Sequence, residues 1–185
     1  RKSLVGSEMC IRDRINRLGF NNDGVDAVVK RLRNKKFKFY NTSLPIGANT
    51  GKNKSTPNSE AHEDYLECFK KLRSYVDYFA VNVSSPNTPN LRDFQNKENL
   101  KKVINFVKDG IATSKTFNKK LPIFLKIAPD INKQTLKSII ETAHSQKIFG
   151  LIISNTTLDR ERNLKSKKSK ELSSGNFMGY RFSNV

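Results

Sequence analysis

Four short apolar runs in this chain each end in a polar residue that a buried strand has no packing reason to carry: Asn49, Asn82, Lys126 and Asn155. Each run alternates with a stretch whose apolar residues recur at helical spacing. Parallel strands need a crossover between them, most often a helix, so this alternation predicts an α/β fold built on a parallel sheet. Such a sheet delivers all its carboxyl ends to one rim, where the four polar side chains are predicted to converge. That rim is the predicted functional site.

The strands are read at residues 44–48, 77–83, 123–127 and 150–154, and Tyr78, Phe79, Val81 and Val83 suit a sheet covered on both faces. Val25, Val28, Val29 and Leu32 predict a helix over 23–33, with Asn22 or Asp23 placed to cap it. Thr56 and Pro57, a capping hydroxyl before a proline at the first helical position, announce the next helix. It would turn Ala61, Tyr65, Cys68, Phe69 and Leu72 inward. Leu100, Val103, Ile104 and Val107 mark a helix over 99–108; Leu136, Ile139, Ile140 and Ala143 mark another over 135–145. The ends show no such pattern. Residues 1–14 read as a non-native, adapter-derived segment, and after Asn163 a lysine-rich loop leads into 175–185, where no element is predicted.

At 185 residues the chain suffices for one domain with a sizeable core. Lys and Arg number 35 against 17 Asp and Glu, a formal net charge of +18. A balance so basic ordinarily points to an anionic partner. Here the lysines are spread over helices and loops, and aromatic residues do not interleave with them as in a stacking groove. The charge is read as solvated faces, with no nucleic acid expected; a basic RNA-binding module is the alternative, and it leaves the polar strand ends unexplained. Cys10 and Cys68 cannot form a metal site by themselves, so no metal is predicted and a reducing compartment is the default. No apolar run approaches the ~20 residues of a membrane-spanning helix, and no signal-peptide pattern opens the chain.

Gly47-Ala48-Asn49-Thr50-Gly51-Lys52-Asn53 lies between a strand and a helix, as a phosphate-binding loop would. It is one residue short between its glycines, and Asn53 stands where a magnesium-binding hydroxyl belongs, which argues against an NTPase. Asn82-Val83-Ser84-Ser85-Pro86-Asn87-Thr88-Pro89-Asn90 is the densest polar constellation. Its two prolines restrict the backbone, which suits either a ligand-positioning loop or a stiffened surface turn. Lys126 sits inside Phe124-Leu125-Lys126-Ile127, where a lysine is costly unless it meets an anion. The partner is either a ligand or a neighbouring carboxylate. His62 and His144 fall in helices as surface residues, and no Ser-His-Asp set assembles at the strand ends.

Asn16-Arg17-Leu18-Gly19-Phe20-Asn21-Asn22, Gly47 to Lys54, Val81 to Pro89, Leu125-Lys126-Ile127-Ala128-Pro129-Asp130 and Ser154-Asn155-Thr156-Thr157 together resemble the dihydroorotate dehydrogenases in order and spacing. The loop Ser85-Pro86-Asn87-Thr88-Pro89 resembles the quinone-dependent class, which carries a serine base where the soluble class carries cysteine. The resemblance implies a TIM (β/α)8 barrel holding FMN across its carboxyl rim, of which this chain would contain about strands three to six. It divides the chain into the segment 1–14, a partial FMN-binding barrel over 15–162, and a loop with a divergent terminus over 163–185. Near Leu172 the family's Gly-Gly-Leu-Ser-Gly is replaced by Leu172-Ser173-Ser174-Gly175-Asn176. The first two and last two strands and a helical quinone site are expected outside this chain, which reads as an internal fragment, inactive by itself.

By the same resemblance, Asn16, Arg17, Leu18, Gly19 and Phe20 would line the orotate pocket. Asn82, Asn87, Asn155 and Thr156 would bond orotate, and Asn49, Asn82, Lys126 and Ser154 would face FMN. Ser85 would remove a proton from carbon 5 of dihydroorotate, relayed by Thr88 and Phe20 with water, while hydride leaves carbon 6 for the flavin. A quinone would then reoxidise the flavin in pyrimidine (UMP) biosynthesis, at the cytoplasmic side of the cell membrane and peripherally bound. Another FMN-dependent TIM-barrel enzyme acting on a different pyrimidine is the alternative, and the Ser85 loop argues against it.

Overall fold

The apolar runs pair in parallel, as their alternation with helices requires, in the computed structural model of the chain, which describes residues 14–16, 22–34, 45–86, 88, 90–112, 121–158 and 176–178. In chain order the elements are β1 (Arg14–Asn16), α1 (Val25–Arg33), β2 (Gly47–Thr50), α2 (Ala61–Leu72), β3 (Tyr78–Asn82), α3 (Lys97–Ala112), β4 (Ile123–Ile127), α4 (Lys133–Ser145), β5 (Gly150–Ile153) and β6 (Asn176–Met178). Short 3-10 turns at Asn58–Glu60 and Leu91–Gln95 precede α2 and α3. Strands β2, β3, β4 and β5 lie side by side in sequence order, all parallel. A doubly wound sheet would reverse its order at a switch point. The unreversed order, with one helix per crossover, is an arc of a TIM barrel.

The two faces of the sheet are packed by different rules. Phe79, Val81, Ile123, Leu125 and Ile127 share the helix-facing core with Tyr65, Phe69, Leu100, Val103, Ile104 and Ile139, all buried. The rings of Phe69 and Phe79 meet at 4.5 Å. Full burial of each large side chain contributes about 1.5–3 kcal/mol, enough to order the helices on the sheet. Side chains alternate along a strand, so Tyr78, Phe124 and Lys126 lie on the opposite face, the barrel interior. There Tyr78 meets Phe124 edge-on at 5.4 Å, and Phe124 meets Phe149 at 5.2 Å. Gly47 is required beside this layer because a Cβ would fall 2.1 Å from the Tyr78 ring. At Gly150 the added atom would lie 3.1 Å from Phe124. Large rings beside missing side chains let the layer fill without clash.

Several local expectations change. β2 runs Gly47–Thr50, later than the predicted 44–48, so Asn49 lies inside the strand, paired with Ala80. The cap of α1 is Gly24 at φ 89, a left-handed value that disfavours a side chain. Asn22 instead accepts from the Gly24 amide at 2.8 Å, and Asp23 pairs with Arg31. Thr56 does not cap α2, which is entered from Pro57 through the 3-10 turn. Ile140, predicted inward, is 49% exposed. His62, predicted on the surface, is half-buried and stacks on Phe106 at 3.9 Å. The ends, for which no element was expected at 175–185, hold a short antiparallel ladder that matches Arg14 with Met178 and Asn16 with Asn176. Three residues on each side are too few for a periodic signal.

Candidate active site

At the carboxyl end of β3 the chain leaves the sheet through Asn82, Val83, Ser84 and Ser85, all buried. Asn82 Oδ1 accepts from the Ser84 amide at 3.1 Å and from Ser84 Oγ at 2.7 Å, and Tyr65 Oη donates to the Asn82 carbonyl at 2.9 Å. Burial pushes the Tyr65 phenol well above its ordinary pKa, so it remains a donor. Ser84 Oγ also accepts from Asn155 Nδ2 at 2.9 Å, crossing from the loop after β3 to the loop after β5. Asn155 Oδ1 accepts from the Thr156 amide at 2.8 Å, and the Asn155 amide continues the β4 ladder by donating to the Ile127 carbonyl at 3.0 Å. Asn82, Ser84, Asn155 and Thr156 thus form one connected polar set, buried at Asn82 and Ser84 and half-buried at Asn155 and Thr156, and networks of this kind fix side-chain orientation.

Arg92, Asp130 and Gln95 extend that set. Arg92 donates through Nε to the Ser84 carbonyl at 3.1 Å, through Nη1 to Asp130 at 2.8 Å and through Nη2 to the Thr156 carbonyl at 3.1 Å. Asp130 also accepts from the Thr157 hydroxyl and from the Leu158 amide. Gln95 Oε1 accepts from the Ala128 amide at 2.9 Å. Arg92, Gln95 and the bridging role of Ser84 were missed in the sequence because their partners on the loops after β4 and β5 lie 33 to 71 residues away.

Lys126 stands in register with Asn82 on β3 and Ile152 on β5. It is half-buried on the interior face, and among the described residues no carboxylate forms an ion pair with it. The neighbouring-carboxylate explanation of this lysine therefore has no support there. Asn49, two strands away from Lys126, is exposed on the same face. Lys52 is buried and donates to the carbonyls of Asn53 at 3.1 Å and Thr56 at 2.6 Å. It fastens its own loop, which further removes the phosphate-loop reading.

Ser85, next to Ser84 in the chain, and Thr88 are both buried. Ser154, one residue past β5, is exposed and donates to the Asn155 carbonyl at 3.0 Å. Asn16 lies in β1, opposite Asn176. Arg17, Leu18, Gly19, Phe20 and Asn87 lie outside the described residues. Burial, aided by Asp64 and Glu67, pushes the Cys68 thiol up to about 11, so it is not a nucleophile at neutral pH. Among the described residues no group of His, Cys, Asp and Glu could hold a metal ion.

The family model described as dihydroorotate dehydrogenase matches residues 9–181. A Christiangramia forsetii protein named dihydroorotate dehydrogenase (quinone) is 49% identical over 158 residues, covering 85% of this chain and 44% of the relative. A Coxiella burnetii protein of the same name is 42% identical over the same length and shares. Among solved structures, ligand-free DHODH from Eimeria tenella superposes with a TM-score of 0.81 at 31% identity, covering 93% of this chain and 51% of that one. The Eimeria tenella enzyme in complex with ferulenol gives a TM-score of 0.80 at 31% identity. The chain spans less than half the length of these curated relatives.

Proposed function

The chain belongs to the dihydroorotate dehydrogenase family, and from that premise we propose that the complete protein oxidises dihydroorotate to orotate, with a quinone as final acceptor, in pyrimidine synthesis. The observation that carries this reading is the polar set joining buried Asn82 and Ser84 to half-buried Asn155 and Thr156, with Ser85 next in the chain and Lys126, which pairs with no carboxylate among the described residues, on the adjoining strand. A planar, amide-bearing ring needs donors and acceptors together, and carboxamides offer both.

The residues present also fit FMN. A cation without a carboxylate partner among the described residues, an exposed amide at Asn49 and a buried amide at Asn82 lie on one face, suiting a planar group with a polar edge. Lys126, Asn49, Asn82 and Ser154 would hold it, and when bound it supplies the hydride acceptor. Ser85 takes the proton from carbon 5, with Thr88 and Phe20 arranging its onward path through water. Asn82, Asn155, Thr156 and Asn87, with the stretch Asn16 to Phe20, orient the substrate ring. Lys126 directs a fixed positive charge where negative charge develops, the arrangement that gives electrostatic catalysis its effect in a water-poor site.

Use of a quinone supports peripheral membrane association of the complete protein, and the family resemblance supports its cytoplasmic side. Among the described residues no helix is long and apolar enough to cross one. The reading is tested by assaying the complete protein for dihydroorotate-dependent quinone reduction and for bound FMN. Absence of both in a folded preparation would overturn it. Residues 15–185 alone should bind FMN weakly and turn over no substrate, since half a barrel leaves strand edges unpaired; micromolar stoichiometric binding with turnover would refute that expectation.

A further inference from the structure

Three donors of Arg92 reach three different loops. Nε holds the carbonyl of Ser84 after β3, Nη1 holds Asp130 after β4, and Nη2 holds the carbonyl of Thr156 after β5. The two ionic side chains are only 20% and 26% exposed, so water competes weakly for them. Asp130 carries the connection onward to the Thr157 hydroxyl and the Leu158 amide. Gln95, on the same 3-10 turn as Arg92, holds the Ala128 amide after β4 and donates to the Arg92 carbonyl at 3.4 Å. The turn therefore ties three strand ends together through side chains, beside the single backbone bonds from the Val83 amide to the Lys126 carbonyl and from the Asn155 amide to the Ile127 carbonyl that link neighbouring ends in pairs.

The geometry points to Arg92, with Asp130, as a positioning clamp that sets the distance between the Ser85 loop and the Asn155–Thr156 loop, and through it the affinity for the substrate ring. This rests on the dihydroorotate reading above. Ser84 immediately precedes Ser85, and the Thr156 carbonyl held by Arg92 belongs to the residue whose amide holds Asn155 Oδ1. Moving either anchor shifts the base and the ring-binding amides relative to one another. Lysine cannot substitute, because it is a point charge on a flexible stem, whereas the planar guanidinium directs its donors along fixed and diverging lines.

The test uses the complete protein, loaded with FMN, as Arg92→Gln, Arg92→Lys and Asp130→Asn. Orotate affinity is measured by calorimetry and expressed per bound FMN, with melting temperature and backbone hydrogen exchange alongside. Misplacement of reacting groups by about 1 Å costs roughly a hundredfold, so kcat/KM for dihydroorotate should fall by about that factor in both Arg92 variants. Orotate affinity should weaken at least tenfold, and Asp130→Asn should show the same direction with a smaller loss. Exchange should rise together in the loops after β3, β4 and β5. An Arg92→Lys protein with parental orotate affinity overturns the clamp, as does a loss of affinity that merely tracks lost FMN or lowered melting temperature. Exchange confined to one loop overturns it also. A parental protein that fails to bind orotate overturns the assigned activity instead, and the concerted exchange then remains the readout of the clamp.

Discussion

The loop after β2 and the loops after β3 to β5 leave the same rim but are fastened in opposite ways. After β2, Lys52 binds the carbonyls of Asn53 and Thr56, and Asn53 binds Asp64 through both its backbone amide and Nδ2, at 2.8 Å each. None of these partners is more than 11 residues apart. After β3 to β5, Asn155 reaches Ser84 across 71 residues, and Arg92 reaches Asp130 across 38 and Thr156 across 64. The first loop can close once α2 forms. The second group closes only when three strands are in register, because contacts across long separations require the intervening chain to be ordered first. The proposed chemistry sits on the cross-tied side, where the arrangement of polar groups depends on the whole sheet.

The largest effect expected on that side is at Ser85. In the complete protein Ser85→Ala should slow flavin reduction by roughly 10² to 10⁴, the usual contribution of a positioned general base, with orotate affinity little changed. Stopped-flow reduction by dihydroorotate measures it, and a near-parental rate would remove Ser85 from the mechanism.

Lys126 comes next, on the cross-tied side between Asn82 of β3 and Ile152 of β5. Lys126→Met should slow flavin reduction by about a hundredfold, by analogy with loss of one preorganised donor, and should make the flavin midpoint potential more negative. Because no described carboxylate pairs with Lys126, the melting temperature should hold. An unchanged potential with a large loss of stability would reinstate a structural ion pair.

A pair of smaller changes separates the two kinds of fastening. Ser84→Ala removes the hydroxyl shared by Asn82 and Asn155 in a fully buried position, which should cost about 1–3 kcal/mol and weaken orotate binding. Lys52→Met should cost about 1 kcal/mol and leave orotate binding alone, since its bonds stay within one loop. Denaturant melts and calorimetry compare them; equal effects on orotate would erase the distinction between the loops.

The smallest effect concerns Cys68, on α2 beside the locally fastened loop. Its folded pKa is raised from 9.0 to about 11, chiefly by burial. The folded state therefore holds the proton more tightly, and the associated stability is complete below pH 9 and lost as pH rises through about 11. With Cys10 replaced by serine, alkylation of Cys68 should be slow at pH 8 and accelerate toward pH 11. Rapid modification at pH 8 would show α2 opening and would weaken the view that this side is held independently.

The β4 strand coincides with its sequence reading over Ile123–Ile127, and Leu100, Val103, Ile104 and Val107 of α3 are all buried as their spacing requires. Such patterns are local: period and burial are written in neighbouring residues. The caps of α1 and α2 were not legible, because Asn22 accepts from the Gly24 amide within the preceding loop and a 3-10 turn over Asn58–Glu60 separates Thr56 from the start of α2. The pairing of residues 14–16 with 176–178 joins the two ends of the chain, beyond any window.

By itself the sequence determined the βα alternation, the family and the four polar strand ends, since these depend on residue type and spacing. Tertiary structure alone decided that Ser84 bridges Asn82 and Asn155, that Lys52 turns inward while Lys126 faces the barrel interior without a described carboxylate partner, and that Arg92 joins three loops. A side chain's chemistry is carried by its type, but its partner is set by which strands stand side by side, and that order exists only once the sheet has formed.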